Sequence, residues 1–100
     1  MLKEDFVIQS NVRRVLVRTN IDYSNLIFGT VRGTVYIRGK FKLASYYSHD
    51  SDESVLDYEK KTLHSLEKNL RNIPGVADVV FQLLNWKKEK GQWNPRKEEE

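Results

Sequence analysis

The stretch Thr34-Val35-Tyr36-Ile37-Arg38-Gly39-Lys40-Phe41-Lys42-Leu43 decides the fold of this chain. Its apolar residues fall on one parity, at Val35, Ile37, Phe41 and Leu43. This alternation of period two predicts a strand that buries one row of side chains and exposes the other. The exposed row is predicted to be Thr34, Tyr36, Arg38, Lys40 and Lys42.

The segment just before this strand predicts its hairpin partner. Leu26-Ile27-Phe28-Gly29-Thr30-Val31 is rich in β-branched, aromatic and other apolar residues, and Arg32-Gly33 follows it. Glycine readily adopts the positive φ of a tight turn between strands. The two strands should therefore form a β-hairpin.

A long amphipathic helix is predicted after the hairpin. Its apolar residues recur at helical spacing and are Leu56, Leu63, Leu66, Leu70 and Ile73. Most charged residues, Glu67 among them, fall off this stripe. The helix should begin between Ser51 and Ser54, where capping side chains stand, and should end at Pro74-Gly75. Residues 76–84 are rich in β-branched and apolar side chains and predict a third strand.

The opening segment predicts a first helix from about Asp5 to Thr19. The helical stripe consists of Ile8, Val12, Val15 and Leu16. A short strand at Val15-Leu16-Val17 stays open as an alternative, because β-branched residues also favour strands.

The resulting order of helix, strand, strand, helix, strand predicts an α+β fold. Such a chain packs as a two-layer αββαβ sandwich, in which two helices cover one face of a three-stranded sheet. Residues 1–86 are predicted to form the domain, and the polar residues 87–100 a flexible charged tail. Trp86 is expected to close the end of the core, and Trp93 to pack loosely or be exposed.

Composition limits the classes of function. The chain has 100 residues, 39% of them hydrophobic, which suffices for one modest core. The absence of cysteine excludes disulfides, thiolate metal sites and cysteine nucleophiles. No signal peptide and no apolar run of about 20 residues is visible. We therefore expect a cytoplasmic protein that is at most peripheral to a membrane.

Two motifs stand in order along the chain. The first is Ile27-Phe28-Gly29-Thr30-Val31-Arg32-Gly33-Thr34-Val35-Tyr36-Ile37-Arg38-Gly39, and the second is Asn72-Ile73-Pro74-Gly75-Val76-Ala77-Asp78-Val79-Val80. Together they resemble the BON domain family, the bacterial osmotic-shock and nodulation domains, over roughly residues 5–84. Segment 44–53 is longer and more tyrosine-rich than the usual connection of that family. Four residues are predicted to shape the turns, namely Gly33, Gly39, Pro74 and Gly75.

The resemblance implies a non-catalytic module that binds membranes, phospholipid or other proteins. Similar small folds occur in the ring-building domains of secretion and sporulation machines, where they oligomerise. A structural, oligomer-building role therefore stays open as the alternative. Nucleic-acid binding through the same basic strand ranks third, because no RNA-binding aromatic motif is present. No cofactor motif, metal-ligand spacing or catalytic set is visible, so we expect no enzyme.

Basic residues of the second strand and the first helix are the candidate contacts for lipid head groups or another polyanion. They are Arg32, Arg38, Lys40, Lys42, Arg14 and Arg18. Guanidinium and ammonium groups suit phosphate oxygens. An ordinary solvated strand and helix surface explains the same residues equally simply.

Three further groups favour a structural interpretation. An acidic helix leader without calcium or zinc spacing comprises Tyr46, Tyr47, His49, Asp50, Asp52 and Glu53. His64 lacks any partner for catalysis or metal binding. The two tryptophans with Lys87, Lys88 and Lys90 also fit a membrane-interface anchor, but packing of Trp86 at the end of the core is favoured.

Overall fold

The computed structural model describes residues 2–44 and 54–96. The elements in chain order are α1 (Lys3–Arg18), β1 (Leu26–Val31), β2 (Thr34–Gly39), α2 (Val55–Arg71), β3 (Asp78–Leu83), β4 (Trp86–Glu89) and β5 (Gln92–Pro95). Strands β1 to β3 form a mixed sheet, and β4 and β5 form a second, two-stranded sheet. The predicted α+β fold is confirmed, and the second sheet is an addition to it.

Strand β2 lies at the centre of the three-stranded sheet. It pairs antiparallel with β1 and parallel with β3. Val35 and Ile37 are fully buried, whereas Tyr36 and Arg38 are exposed. The predicted alternation therefore holds within β2, although the strand ends at Gly39, before the predicted Leu43.

Strand β2 ends early because the chain bends at Gly39. The φ of Gly39 is +118°, and a Cβ there would collide with the carbonyl oxygen of Asn25. Beyond the bend, Asn85 Oδ1 accepts a hydrogen bond from the Phe41 amide at 2.9 Å, and Asn85 Nδ2 donates to the Phe41 carbonyl at 2.8 Å. These bonds hold Phe41 in the core without a strand partner. Two other predicted turn glycines, Gly33 and Gly75, also have positive φ.

Both helices pack on one face of the sheet. Helix α1 buries Ile8, Val12 and Leu16, and helix α2 buries Leu63, Leu66 and Leu70. Helix α1 extends through residues 15–17 and rules out a strand there. The Ser54 hydroxyl caps α2 by accepting the Asp57 amide at 3.1 Å. Leu56 was predicted on the buried stripe but is 50% exposed, in the first turn of α2.

A buried carboxylate ties the start of α1 to the first hairpin. Asp5 is 4% exposed, and its two oxygens accept the amides of Arg32 at 2.8 Å and Gly33 at 2.9 Å. Because turn amides lack strand partners, this carboxylate removes two unsatisfied donors at once.

The segment after Trp86 differs from the predicted tail. Strands β4 and β5 pair antiparallel around Lys90-Gly91, and the pair packs on α2 and next to β3. Trp86 and Trp93 are each 3% exposed, so the expectation that Trp93 is loose or exposed is wrong. The Trp93 ring meets Phe81 edge-on, with ring centroids 5.0 Å apart. Trp93 therefore extends the core beyond the predicted boundary.

Candidate functional site

The candidate basic residues are exposed, but they divide between two sides of the sheet. Arg38 projects from the face of β2 that points away from the helices. Arg14 and Arg18 lie on α1, which covers the opposite face. Arg32 is at the hairpin turn, and Lys40 and Lys42 follow the bend after β2. The six residues therefore do not form one surface.

The exposed side of α1 combines cations with large apolar side chains. We call this surface the arginine face, and its residues are Phe6, Ser10, Arg13, Arg14, Val17 and Arg18. Phe6 is 64% and Val17 60% exposed. At 100° per residue, Phe6, Ser10 and Val17 form one stripe, with Arg13 on one side and Arg14 and Arg18 on the other. The same side chains, with Gln9, line a shallow groove of about 500 Å³.

The charge of the arginine face is not neutralised by the described part of the chain. Its three arginines form no ion pair within residues 2–44 and 54–96. No described Asp or Glu lines the groove. The guanidinium carbon of Arg13 lies 5.9 Å from the centre of the Phe28 ring, which holds Arg13 beside β1. The arginine face is therefore a cationic surface with an apolar centre.

The basic residues of the β4–β5 hairpin are in a different state. Lys88 Nζ lies 2.6 Å from Glu67 Oε1, and Arg71 lies 3.2 Å from Glu67 Oε2. Lys87 pairs with Glu89. Glu67 is 6% exposed, although its sequence position lies off the apolar stripe. The hairpin cations therefore serve to bury Glu67 between α2 and β4.

The Glu67 carboxyl is held in its charged form. Burial by itself raises the pKa of Glu67, but hydrogen bonds from Lys88 and Arg71 outweigh this effect. The pKa therefore lies below its usual value. Arg71 also reaches Asp78 at 3.1 Å, and so links α2 to the start of β3.

A second exposed surface is the sheet face opposite the helices, which we call the outer sheet face. It has three rows across the strands, namely Ile27-Arg38-Gln82, Gly29-Tyr36-Val80 and Val31-Thr34-Asp78. Ile27 is 72% and Val31 58% exposed. With one cation and one acid, this face is close to neutral.

Sequence reasoning found the arginines of α1 but not their apolar neighbours. Phe6 and Val17 are eleven residues apart, which is about three helical turns, and they lie opposite Ile8 and Val12. That spacing was readable from the sequence. A phenylalanine in a short domain is, however, usually assigned to the core.

Metal and membrane-spanning chemistry find no support in the described residues. Residues 2–44 and 54–96 contain no group of three or more His, Cys, Asp or Glu side chains placed to hold a metal ion. None of the helices in these ranges combines the length and apolar character needed to cross a bilayer. His64 is exposed on α2. The cluster Tyr46, Tyr47, His49, Asp50, Asp52 and Glu53 lies outside the described residues.

No model of a known protein family matches the chain, and no curated protein matches it in sequence. The resemblance to BON domains therefore stays a prediction from the two motifs.

Proposed function

We propose that this protein is a non-catalytic binding module that docks on the surface of an anionic phospholipid bilayer through its arginine face. The observation that carries the proposal is the exposure of Phe6 and Val17 between three arginines that have no acidic partner among the described residues. Apolar side chains flanked by cations are typical of helices that lie at the membrane interface.

Charge and apolar area would both contribute to binding. Each basic residue near an anionic surface contributes about 1 kcal/mol, and this contribution falls with salt. Burial of a phenylalanine or valine side chain contributes about 1.5–3 kcal/mol when it is complete. Shallow insertion of two side chains together with three cations gives reversible, peripheral binding. The cytoplasmic leaflet, which carries anionic lipid, is the surface that this chemistry fits.

Co-sedimentation with vesicles tests the proposal. The full chain is mixed with phosphatidylcholine vesicles, with and without phosphatidylserine. We expect binding only to the anionic vesicles, with an affinity that falls as salt is raised. Equal binding to both vesicle types, or binding to neither, would contradict the proposal.

A variant pair separates the arginine face from general stickiness. Phe6→Ser with Val17→Ser should weaken binding to anionic vesicles at least tenfold. The matched control is Val55→Ser with Leu84→Ser, because these side chains are 47% and 71% exposed outside the arginine face. Equal loss in both pairs would show that the α1 location has no special role.

The same experiment distinguishes the other partner classes. A nucleic acid would use the arginines but gain little from Phe6 and Val17, so binding to duplex RNA that survives their replacement, without vesicle binding, would favour that class. Assembly through the β1 edge has less support. Gln9 Nε2 already donates to the Phe28 carbonyl of this edge strand at 3.1 Å, and Gln9 Oε1 accepts from Thr30.

A further inference from the structure

Gly29 occupies the middle of β1 without a reason inside the described chain. Its φ lies outside the left-handed region that favours glycine, and a Cβ built on it would meet nothing within 4 Å. Glycine inside a strand weakens the strand and often marks the close approach of another backbone or ligand. Gly29 lies on the outer sheet face, so the approach would come from outside the molecule.

Tyr36 stands directly across from Gly29 in the register of β1 and β2. An aromatic side chain opposite a strand glycine can fold over it and cover the gap. Here no ring atom of Tyr36 comes within 4 Å of the Cβ position, and Tyr36 is 37% exposed. The outer sheet face therefore carries a depression and a projecting ring side by side.

We propose that the outer sheet face is an interface between two copies of this chain, in which Tyr36 of each copy fills the depression at Gly29 of the other. A two-fold axis parallel to the strands and midway between β1 and β2 brings each ring over the opposite glycine. One operation satisfies both contacts, as an isologous interface requires. Ile27 and Val31 flank the depression and supply apolar contact area.

Charge and size agree with a weak pair of identical subunits. The outer sheet face carries Arg38 and Asp78 at opposite ends, and Asp78 is paired with Arg71. It thus lacks the uncompensated charge that would repel a second copy. Three strands of this length span about 20 Å by 14 Å. The resulting area is well below the roughly 800 Å² per partner of stable complexes, so association should become visible only toward millimolar concentration.

Sedimentation equilibrium from micromolar to millimolar protein tests the proposal. The wild-type chain is expected to shift from monomer to dimer, with no larger species. Gly29→Val should remain monomeric over the whole range, a weakening of at least tenfold. Its thermal midpoint should stay equal or rise, because valine fits an open strand position. The matched control is Gln92→Val, which adds the same exposed side chain on β5 and should dimerise like wild type.

A second variant keeps the test decisive if Gly29→Val folds poorly. Tyr36→Ser removes the projecting ring and should also abolish the dimer. A wild-type chain that stays monomeric at millimolar concentration would overturn the inference, as would a dimer that survives both replacements. Loss of vesicle binding in Gly29→Val without any self-association would overturn it as well, and would assign the face to lipid instead.

Discussion

Helix α1 and the β4–β5 hairpin both expose basic side chains, but they use them differently. On α1, Arg13, Arg14 and Arg18 point into solvent beside exposed apolar residues and have no acidic partner among the described residues. In the hairpin, Lys88 is engaged with the buried Glu67, and both tryptophans are inside the core. The difference teaches that cations held by a buried carboxylate stabilise the fold, whereas cations without one remain available to a partner.

The largest effect should come from the hairpin side of this comparison. Trp93→Ala should lower the free energy of unfolding by about 3–5 kcal/mol, because it empties a large site in the core. Chemical denaturation followed by circular dichroism measures this loss. Under conditions where the variant is folded, vesicle binding should match wild type. A stability change within experimental error would contradict the packing of Trp93.

The next effect concerns the arginine face. Replacement of Arg13, Arg14 and Arg18 by glutamine should weaken binding to anionic vesicles roughly 100-fold, from about 1 kcal/mol per cation. Unfolding stability should change by less than about 0.5 kcal/mol, because these residues are exposed. The charge-matched control replaces Arg38, Lys42 and Arg96, and it should bind nearly as wild type. If the control loses affinity equally, overall charge governs binding.

Glu67 tests whether the hairpin cations are structural. Glu67→Ala should destabilise the fold by about 1–3 kcal/mol, because Lys88 and Arg71 lose their common acceptor. Vesicle binding should stay unchanged. A destabilisation confined to thermal melting of the whole chain, with no change in affinity, would separate the two roles cleanly. A gain in vesicle affinity would instead show that freed lysines can join the binding surface.

The pH dependence of stability should follow from the same carboxyl. The pKa of Glu67 is lower in the folded state than its usual value of 4.5. The unfolded chain therefore binds more protons below that pH, so this stabilisation is complete above it and is lost as the pH falls through the folded pKa. Glu67→Gln should flatten this part of the stability profile. A profile that stays as steep as that of wild type would place the acid dependence elsewhere.

The smallest effect comes from a matched pair of single substitutions. Lys88→Gln should cost about 1 kcal/mol of stability, because its partner Glu67 is buried, and should leave vesicle binding unchanged. Arg14→Gln should leave stability unchanged and weaken binding about fivefold. Each variant is measured by denaturation and by co-sedimentation. Reversal of either pattern would break the comparison.

The first five elements were predictable because each carries a clear period. Val35 and Ile37 alternate, and Leu63, Leu66 and Leu70 recur at helical spacing. The β4–β5 hairpin was missed because it is short and polar, with only Trp86 and Trp93 as large apolar inward residues. A signal was present, since Lys90-Gly91 repeats the turn chemistry of Arg32-Gly33, with φ values of 50° and 79° against 51° and 82°.

The candidate site was only partly predictable for a physical reason. Helical spacing shows that Arg14 and Arg18 share a side, but it does not tell which face of the sheet α1 covers. Only the packing separates these arginines from Arg38. The burial of Glu67 was likewise invisible, because it depends on a hairpin that is distant in sequence.

The most direct test of the account is paramagnetic broadening of amide signals by a nitroxide-labelled lipid in anionic bicelles. The account predicts that broadening is strongest at Phe6, Ser10 and Val17, and that the hairpin signals of Lys88 and Trp93 keep their intensity. Strongest broadening at the hairpin, or an even distribution over the whole surface, would contradict the assignment of the arginine face as the membrane contact.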